Sequence, residues 1–275
     1  MKKWLGFALF AGLFLLIQPV IAAPKAELWA RWQAHKADAS ESINHKEWRD
    51  WLNKYLVSSA NGIHLVNYAA VSQADRQVLN QYLEKLQGVA ISEFSRPEQF
   101  AFWVNLYNAR TVALILEHFP VESITDISFG WFSFGPWDEK LMQVEGEQLS
   151  LNDIEHRILR PIWQDNRIHY AVNCASMGCP NLAAQPYTAA NYEQLLRQSA
   201  EAFVNHPRGV EIKGDKIIAS KIYDWYQVDF GGNETALLAH LRKYADADLR
   251  QSLQALSEPQ FSYQYDWRLN QVAKP

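Results

Sequence analysis

From Ser95 to His118 the chain is apolar nearly all the way round a helical wheel, and this run constrains the fold more than any other. Ser95-Arg-Pro-Glu98 supplies a capping box with proline in the first turn, and Pro120 closes the element after Phe119. Phe100, Trp103, Val104, Tyr107, Leu114 and Ile115 leave no polar face for water, so the helix is predicted to lie at the centre of the core. Asn105 and Asn108, spaced i,i+3, share one side of it. A buried amide needs partners, so these side chains either bond a neighbouring loop backbone or offer an amide donor to a pocket.

The flanking sequence surrounds this helix with short elements. Two helices are predicted within residues 26–57, joined by the polar stretch 39–44, the second burying Trp48, Leu52 and Tyr55. Gly62 to Val71 has strand-like content, and a box of Ser72 with Asp75 opens a helix through Val78, Tyr82 and Leu86 to Gly88. The loop 121–139 is rich in aromatic residues, with Trp131 and Trp137 as candidates to line a ligand cleft. A hairpin turning at Glu145-Gly146 precedes a helix capped by Ser150 and Asp153. Pro161 is predicted to stop that helix, with Ile154 and Ile158 inward and Glu155 and His156 directed elsewhere. Helices over 192–203, 221–226 and 235–244 and a hairpin at Gly214-Asp215 complete the pattern. Without a repeat or linker, the reading is a single α+β domain over residues 23–275, helix-rich with a small, mostly antiparallel sheet.

Residues 1–22 read as a cleaved secretory signal: Lys2 and Lys3, the apolar run Leu5 to Ile17, then Val20-Ile21-Ala22. Gln18 and Pro19 interrupt the run, so no stable membrane span is expected after cleavage, and the destination is periplasmic or secreted. Losing two lysines takes the net charge from −4 to −6, a balance with no basic footprint for nucleic acid. A small-molecule or peptide-like ligand is the expected partner.

Both cysteines lie in Arg167-Ile-His-Tyr-Ala-Val-Asn-Cys-Ala-Ser-Met-Gly-Cys-Pro-Asn-Leu182. Ile168 to Val172 reads as a short buried strand, and Asn173 opens a loop of small residues. In an oxidising compartment Cys174 and Cys179 can pair, closing a small loop worth roughly 2 kcal/mol.

Four blocks resemble, in order, the motifs of the DUF547 family: Phe102-Trp-Val-Asn-Leu-Tyr-Asn-Ala109, Leu149-Ser-Leu-Asn-Asp-Ile-Glu-His-Arg-Ile-Leu-Arg160, Ile168-His-Tyr-Ala-Val-Asn-Cys-Ala-Ser176 and Tyr226-Gln-Val-Asp-Phe-Gly-Gly232. The resemblance covers roughly residues 65–245 and implies an exported or membrane-associated bacterial protein of unknown function. Plant members add a leucine-zipper segment, and no heptad run here corresponds to it. The positions the resemblance carries over are Asn105, Asn108, Glu155, His156, His169, Cys174 and Asp229.

Those residues admit several chemistries. Cys174 as nucleophile would need His156 or His169 as base, Glu155 or Asp229 to orient it, and Asn105 or Asn173 as oxyanion donor. That inventory suits a cysteine hydrolase or acyl transferase of papain- or transglutaminase-like type, acting on an amide or peptide-like substrate. Adjacent Glu155 and His156 diverge on an α-helix, so at most one would reach Cys174 directly. Along a strand His169 and Cys174 have opposite parity, so a bend at Asn173 would have to bring them together. The alternative is a non-catalytic binding or scaffold domain whose loop is pinned by a Cys174–Cys179 disulfide. The paired short spacings of structural zinc sites are missing, and neither metal nor cofactor is expected. His35, His45, His206 and His240 read as solvated, and Tyr223, Trp225 and Tyr226 as packing aromatics first.

Overall fold

A computed structural model describes residues 24–130, 135–256 and 259–273; the expected signal segment, residues 1–22, and Trp131 lie outside these. In chain order the elements are α1 (Lys46–Tyr55), β1 (Leu56–Ser58), β2 (His64–Val66), α2 (Gln73–Gln87), α3 (Arg96–His118), β3 (Met142–Val144) and β4 (Glu147–Leu149). A π-helix over Asp153–Leu159 continues into α4 (Arg160–Trp163). Then come α5 (Tyr192–Val204), β5 (Val210–Lys213), β6 (Lys216–Ser220), α6 (Lys221–Trp225), α7 (Glu234–Tyr244), α8 (Ala247–Ala255) and β7 (Gln260–Gln264). The architecture is α+β: the helices are accompanied by three small sheets, β1–β2, β3–β4 and β5–β6–β7, antiparallel except for the parallel β6–β7 pair.

Helix α3 is the centre that its composition demands. From Glu98 to Ala109 every residue is buried, and the core gathers around it from α1, α2, the β3–β4 hairpin and the π-helix. A second apolar cluster joins Tyr170, Phe203, Tyr223, Phe230, Leu237 and Leu241 under the β5–β6–β7 sheet. Ser95 occupies the N-cap of α3 but its hydroxyl makes no capping bond, and Glu98 instead accepts the Ile43 amide at 2.7 Å. A distant loop has taken the carboxylate that a local box would use.

Inside α3 the two asparagines behave as inserted peptide groups. Asn105 donates to the Tyr187 carbonyl at 2.8 Å and accepts the Tyr187 amide at 3.0 Å. Asn108 donates to the Ala171 carbonyl at 2.9 Å and accepts the Asn173 amide at 2.8 Å. Each side chain therefore satisfies a donor and an acceptor of a loop that no strand or helix would otherwise pair.

Several elements depart from the sequence reading. Only the second of the two helices predicted within 26–57 forms; the first is a 3-10 turn, Ala30–Gln33. Its approach is extended because the Glu27 and Trp29 amides donate to the carbonyls of His156 (2.9 Å) and Arg157 (3.0 Å). Those carbonyls are free for a reason: Pro161 has no N–H to return to either, and the Arg160 amide has shifted to the carbonyl of Glu155. So Pro161 does not end the helix. The π register absorbs it, and the N-terminal segment takes up the acceptors.

The predicted strand 168–172 is instead a 3-10 turn, Asn166–Tyr170, whose cap Asp165 accepts the Arg167 amide at 2.8 Å. Burial, not pairing, explains its apolar content. Within Gly62–Val71 only β2 is a strand, followed by a 3-10 turn over Tyr68–Ala70. The inward face of α2 is Leu79, Tyr82, Leu83 and Leu86, with Val78 turned out. Two histidines read as solvated are buried, each against a phenol: His45 with Tyr82 and His240 with Tyr170, both at 2.6 Å.

Replacing Asn108 by alanine should strand the Ala171 carbonyl and the Asn173 amide in a buried setting. The expected loss is about 2–4 kcal/mol, read as a lower urea midpoint with an unchanged slope.

Candidate functional site

Glu155 and His156 both point inward, contrary to the divergence expected of neighbours on an α-helix; both are buried on the π segment. Tyr107, between the two asparagines of α3, donates to Glu155 Oε2 at 3.2 Å. The 3-10 turn brings His169 to the same place. Its Nε2 lies 2.7 Å from Asp229 Oδ2 and its Nδ1 lies 3.6 Å from Glu155 Oε1, so a carboxylate flanks each ring nitrogen. Asp229 is delivered by a 3-10 turn after α6, Gln227–Phe230, which Gly231 ends in the left-handed region at φ 99°.

Arg160 completes the cluster. Its Nε donates to Asp229 Oδ2 at 2.6 Å, and its NH1 donates to His156 Nδ1 at 3.0 Å and to the Pro24 carbonyl at 2.8 Å. Because a guanidinium cannot accept, His156 Nδ1 is the acceptor and the ring proton sits on Nε2. Tyr226 roofs the group, stacking on His169 at 4.2 Å between centroids, with the Arg160 guanidinium 4.8 Å from its ring centre.

Burial raises the Glu155 carboxyl, but His156, His169 and Arg160 outweigh it and hold it at about 2. Burial lowers His156 to about 4, reinforced by Arg160 against the pull of Glu155. Asp229 likewise lies below the ordinary carboxylate range, burial being overcome by His169 and Arg160.

The cysteine loop adjoins this cluster. Cys174 and Cys179 form a disulfide. Cys174 Sγ meets Ser176 Oγ at 3.3 Å and the Tyr265 hydroxyl at 3.0 Å, and Cys179 Sγ accepts the Cys174 amide at 3.0 Å. Among the described residues no imidazole is hydrogen-bonded to either sulfur. Asn173 staples the loop: its Nδ2 donates to the Pro180 carbonyl at 2.7 Å and its Oδ1 accepts the Ala175 amide at 2.8 Å. Ala175, which follows Cys174, is left-handed at φ 59°.

The chain after β7 closes the site from the other side. Met177 and Gly178 donate to the carbonyls of Arg268 (2.7 Å) and Asp266 (2.8 Å). A Cβ on Gly178 would sit 2.8 Å from the Asp266 nitrogen, so the approach depends on glycine there. It seats Tyr265 and Trp267 beside Trp225, with ring centroids 4.6–5.6 Å apart, and Trp137 reaches Trp267 at 5.7 Å.

Thus Glu155, His156, His169 and Asp229 converge, Cys174 and Asn173 sit on the adjoining loop, and Trp137 joins the aromatic cluster. Asn105 and Asn108 hold backbone. Tyr107 was read only as core, and Arg160, Ser176, Tyr265 and Trp267 were not singled out in the sequence. Arg160 and Ser176 ended motif blocks already in view, and the alternation Phe261, Tyr263, Tyr265, Trp267 was a legible strand signal.

These observations define an α+β domain with a disulfide-pinned loop beside a buried carboxylate–histidine–arginine cluster. Residues 91–204 match the family model described as "Protein of unknown function, DUF547", so this part of the chain is a DUF547 domain. No curated protein and no solved structure matches it. The matched span holds Glu155, His156, His169 and both cysteines; Asp229, Tyr265 and Trp267 lie beyond it.

The cluster should make the protein acid-sensitive. The unfolded chain protonates His156 near its ordinary 6.5, the folded chain near 4, so this stability is complete above 6.5 and is lost as pH falls towards 4. Glu155 continues the loss between 4.5 and about 2. His45 and His240, also lowered to about 4 by burial, act in the same direction. Urea midpoints should therefore fall from pH 7 to 4, and His156→Asn should flatten that slope by about a third of the combined histidine effect.

Proposed function

We propose that this protein is an exported binding domain for an extended, peptide-like chain, with the disulfide holding its cysteine loop in shape. The observation that carries the reading is the edge of β7. Among the described residues this strand is paired on one side only, by β6, and it runs directly into Tyr265 and Trp267. An unpaired strand edge offers backbone donors and acceptors to an incoming chain, and neighbouring side-chain pockets supply the selectivity. Trp137, Trp225, Tyr265 and Trp267 are each partly exposed and give such a chain rigid apolar surface at little cost in side-chain entropy.

The disulfide agrees with the periplasmic or secreted destination expected of the leader. No helix among the described residues is long and apolar enough to cross a membrane.

The rival is a cysteine-dependent hydrolase or acyl transferase. Its support is the convergence of His169, His156 and Glu155 next to the Cys174 loop. It would require the bridge to open and an imidazole to reach Sγ, where hydroxyls of Ser176 and Tyr265 now lie.

A pool of fluorescein-labelled synthetic hexapeptides with alternating β-branched and polar residues separates the two. Fluorescence anisotropy should show retention of a subset with Kd on the order of micromolar, weakened at least about tenfold by Trp225→Ala or Trp267→Ala. Binding unaffected by both substitutions would overturn this reading. So would cleavage of peptide p-nitroanilides by the reduced protein that disappears in Cys174→Ala.

A further inference from the structure

We infer that the Cys174–Cys179 bridge is a thiol–disulfide exchange site in which Cys174 is the sulfur attacked by an incoming low-molecular-weight thiolate and Cys179 is the leaving group. Access and a backbone donor distinguish the two sulfurs, and a cation is bound to the same loop. The first is access. Cys179 is 3% exposed, whereas Cys174 is partly exposed. A thiolate arriving from solvent therefore meets Cys174.

The second is a backbone donor aimed at the leaving sulfur. Cys179 Sγ accepts the backbone amide of Cys174 at 3.0 Å, while the Tyr265 hydroxyl lies against both sulfurs, 3.3 Å from Cys179 Sγ and 3.0 Å from Cys174 Sγ. Hydrogen bonds to sulfur favour its anionic form, and a better-stabilised thiolate leaves faster.

The third is a cation. Arg208 holds the loop at Met177 and just beyond Cys179, donating from NH1 to the Met177 carbonyl at 3.2 Å and from NH2 to Asn181 Oδ1 at 2.5 Å. Among the described residues no carboxylate pairs with it, so its charge is left to favour an anion in its surroundings.

The step balances. The incoming thiolate contributes an electron pair to a new S–S bond with Cys174, and the Cys174–Cys179 bond breaks with its pair going to Cys179 Sγ. That thiolate then takes a proton from water. A second thiolate attacking the mixed disulfide leaves both cysteines reduced and releases the oxidised dimer of the small thiol. Alternatively Cys179 returns to Cys174, expels the small thiol and restores the bridge. Return is fast because Asn173 and the pairing of Met177 and Gly178 with residues 266–268 keep the loop folded when the bridge opens. The inference is independent of the peptide-binding reading: it concerns which sulfur reacts, whatever the cleft holds.

The test uses the full chain after leader removal, with glutathione as the probe. Native protein is incubated with reduced glutathione at pH 8, quenched with N-ethylmaleimide, digested and mapped by mass spectrometry. The expected product carries glutathione on Cys174 and maleimide on Cys179, favoured at least about tenfold over the reverse. In Cys179→Ser the remaining thiol should label with maleimide at least about tenfold faster than in Cys174→Ser. Tyr265→Phe and Arg208→Gln should each slow opening about threefold or more, with wild-type regiochemistry read separately so that an unstable variant leaves the result intact. Glutathione on Cys179, an even distribution, no adduct at all, or opening only at the rate of global unfolding in urea would each overturn the assignment.

Discussion

The side-chain amide of Asn108 sits in the middle of the buried helix α3, and the arrangement of the site depends on it. A loop passing over a buried apolar helix has backbone groups that nothing local can satisfy, and leaving one unpaired costs on the order of 1–3 kcal/mol. Asn108 meets the Ala171 carbonyl and the Asn173 amide at once, so it fixes the chain just before Cys174 to the most rigid element of the fold. Asn105 does the same for the backbone at Tyr187. Between them Tyr107 reaches Glu155. Helix α3 thereby positions both the cysteine loop and one wall of the charged cluster.

The π-helix shows a related economy. Shifting the hydrogen-bond register ahead of Pro161 leaves the His156 and Arg157 carbonyls exposed, and the extended N-terminal segment covers them. The same register turns Glu155 and His156 both inward, where Arg160 can donate to His156 and Asp229 together. Burying so many ionisable groups is unfavourable unless each has a partner. Here every carboxylate of the cluster faces a cation or an imidazole, which gives the assembly its sensitivity to acid.

The chain beyond β7 ties the cysteine loop to β2. It pairs with the cysteine loop at residues 176–178, then with β2 through Asn270 and Val272. On the way it places Tyr265 against both sulfurs and Trp267 against Trp225 and Trp137. The site is thus assembled from the central helix, the motif loop and a C-terminal segment far from either in sequence.

Local chemistry alone determined much of this protein. The apolar circumference of residues 96–118 required a buried helix; Ser72 with Asp75 and Ser150 with Asp153 set helix starts; Glu145-Gly146 set a hairpin. Two cysteines in one short loop made their pairing legible, and the motif blocks marked Glu155, His156, His169 and Asp229 before any geometry was known. What the tertiary structure decided were matters of register and partner choice. Whether Pro161 ends a helix depends on an N–H donor more than a hundred residues upstream. Whether 168–172 is a strand depends on a neighbour to pair with, and none is offered. Whether His45 and His240 are solvated depends on the phenols packed against them. Caps, turns and periodicity are encoded within a few residues of where they act, whereas a hydrogen-bond partner across the fold leaves no trace in local sequence.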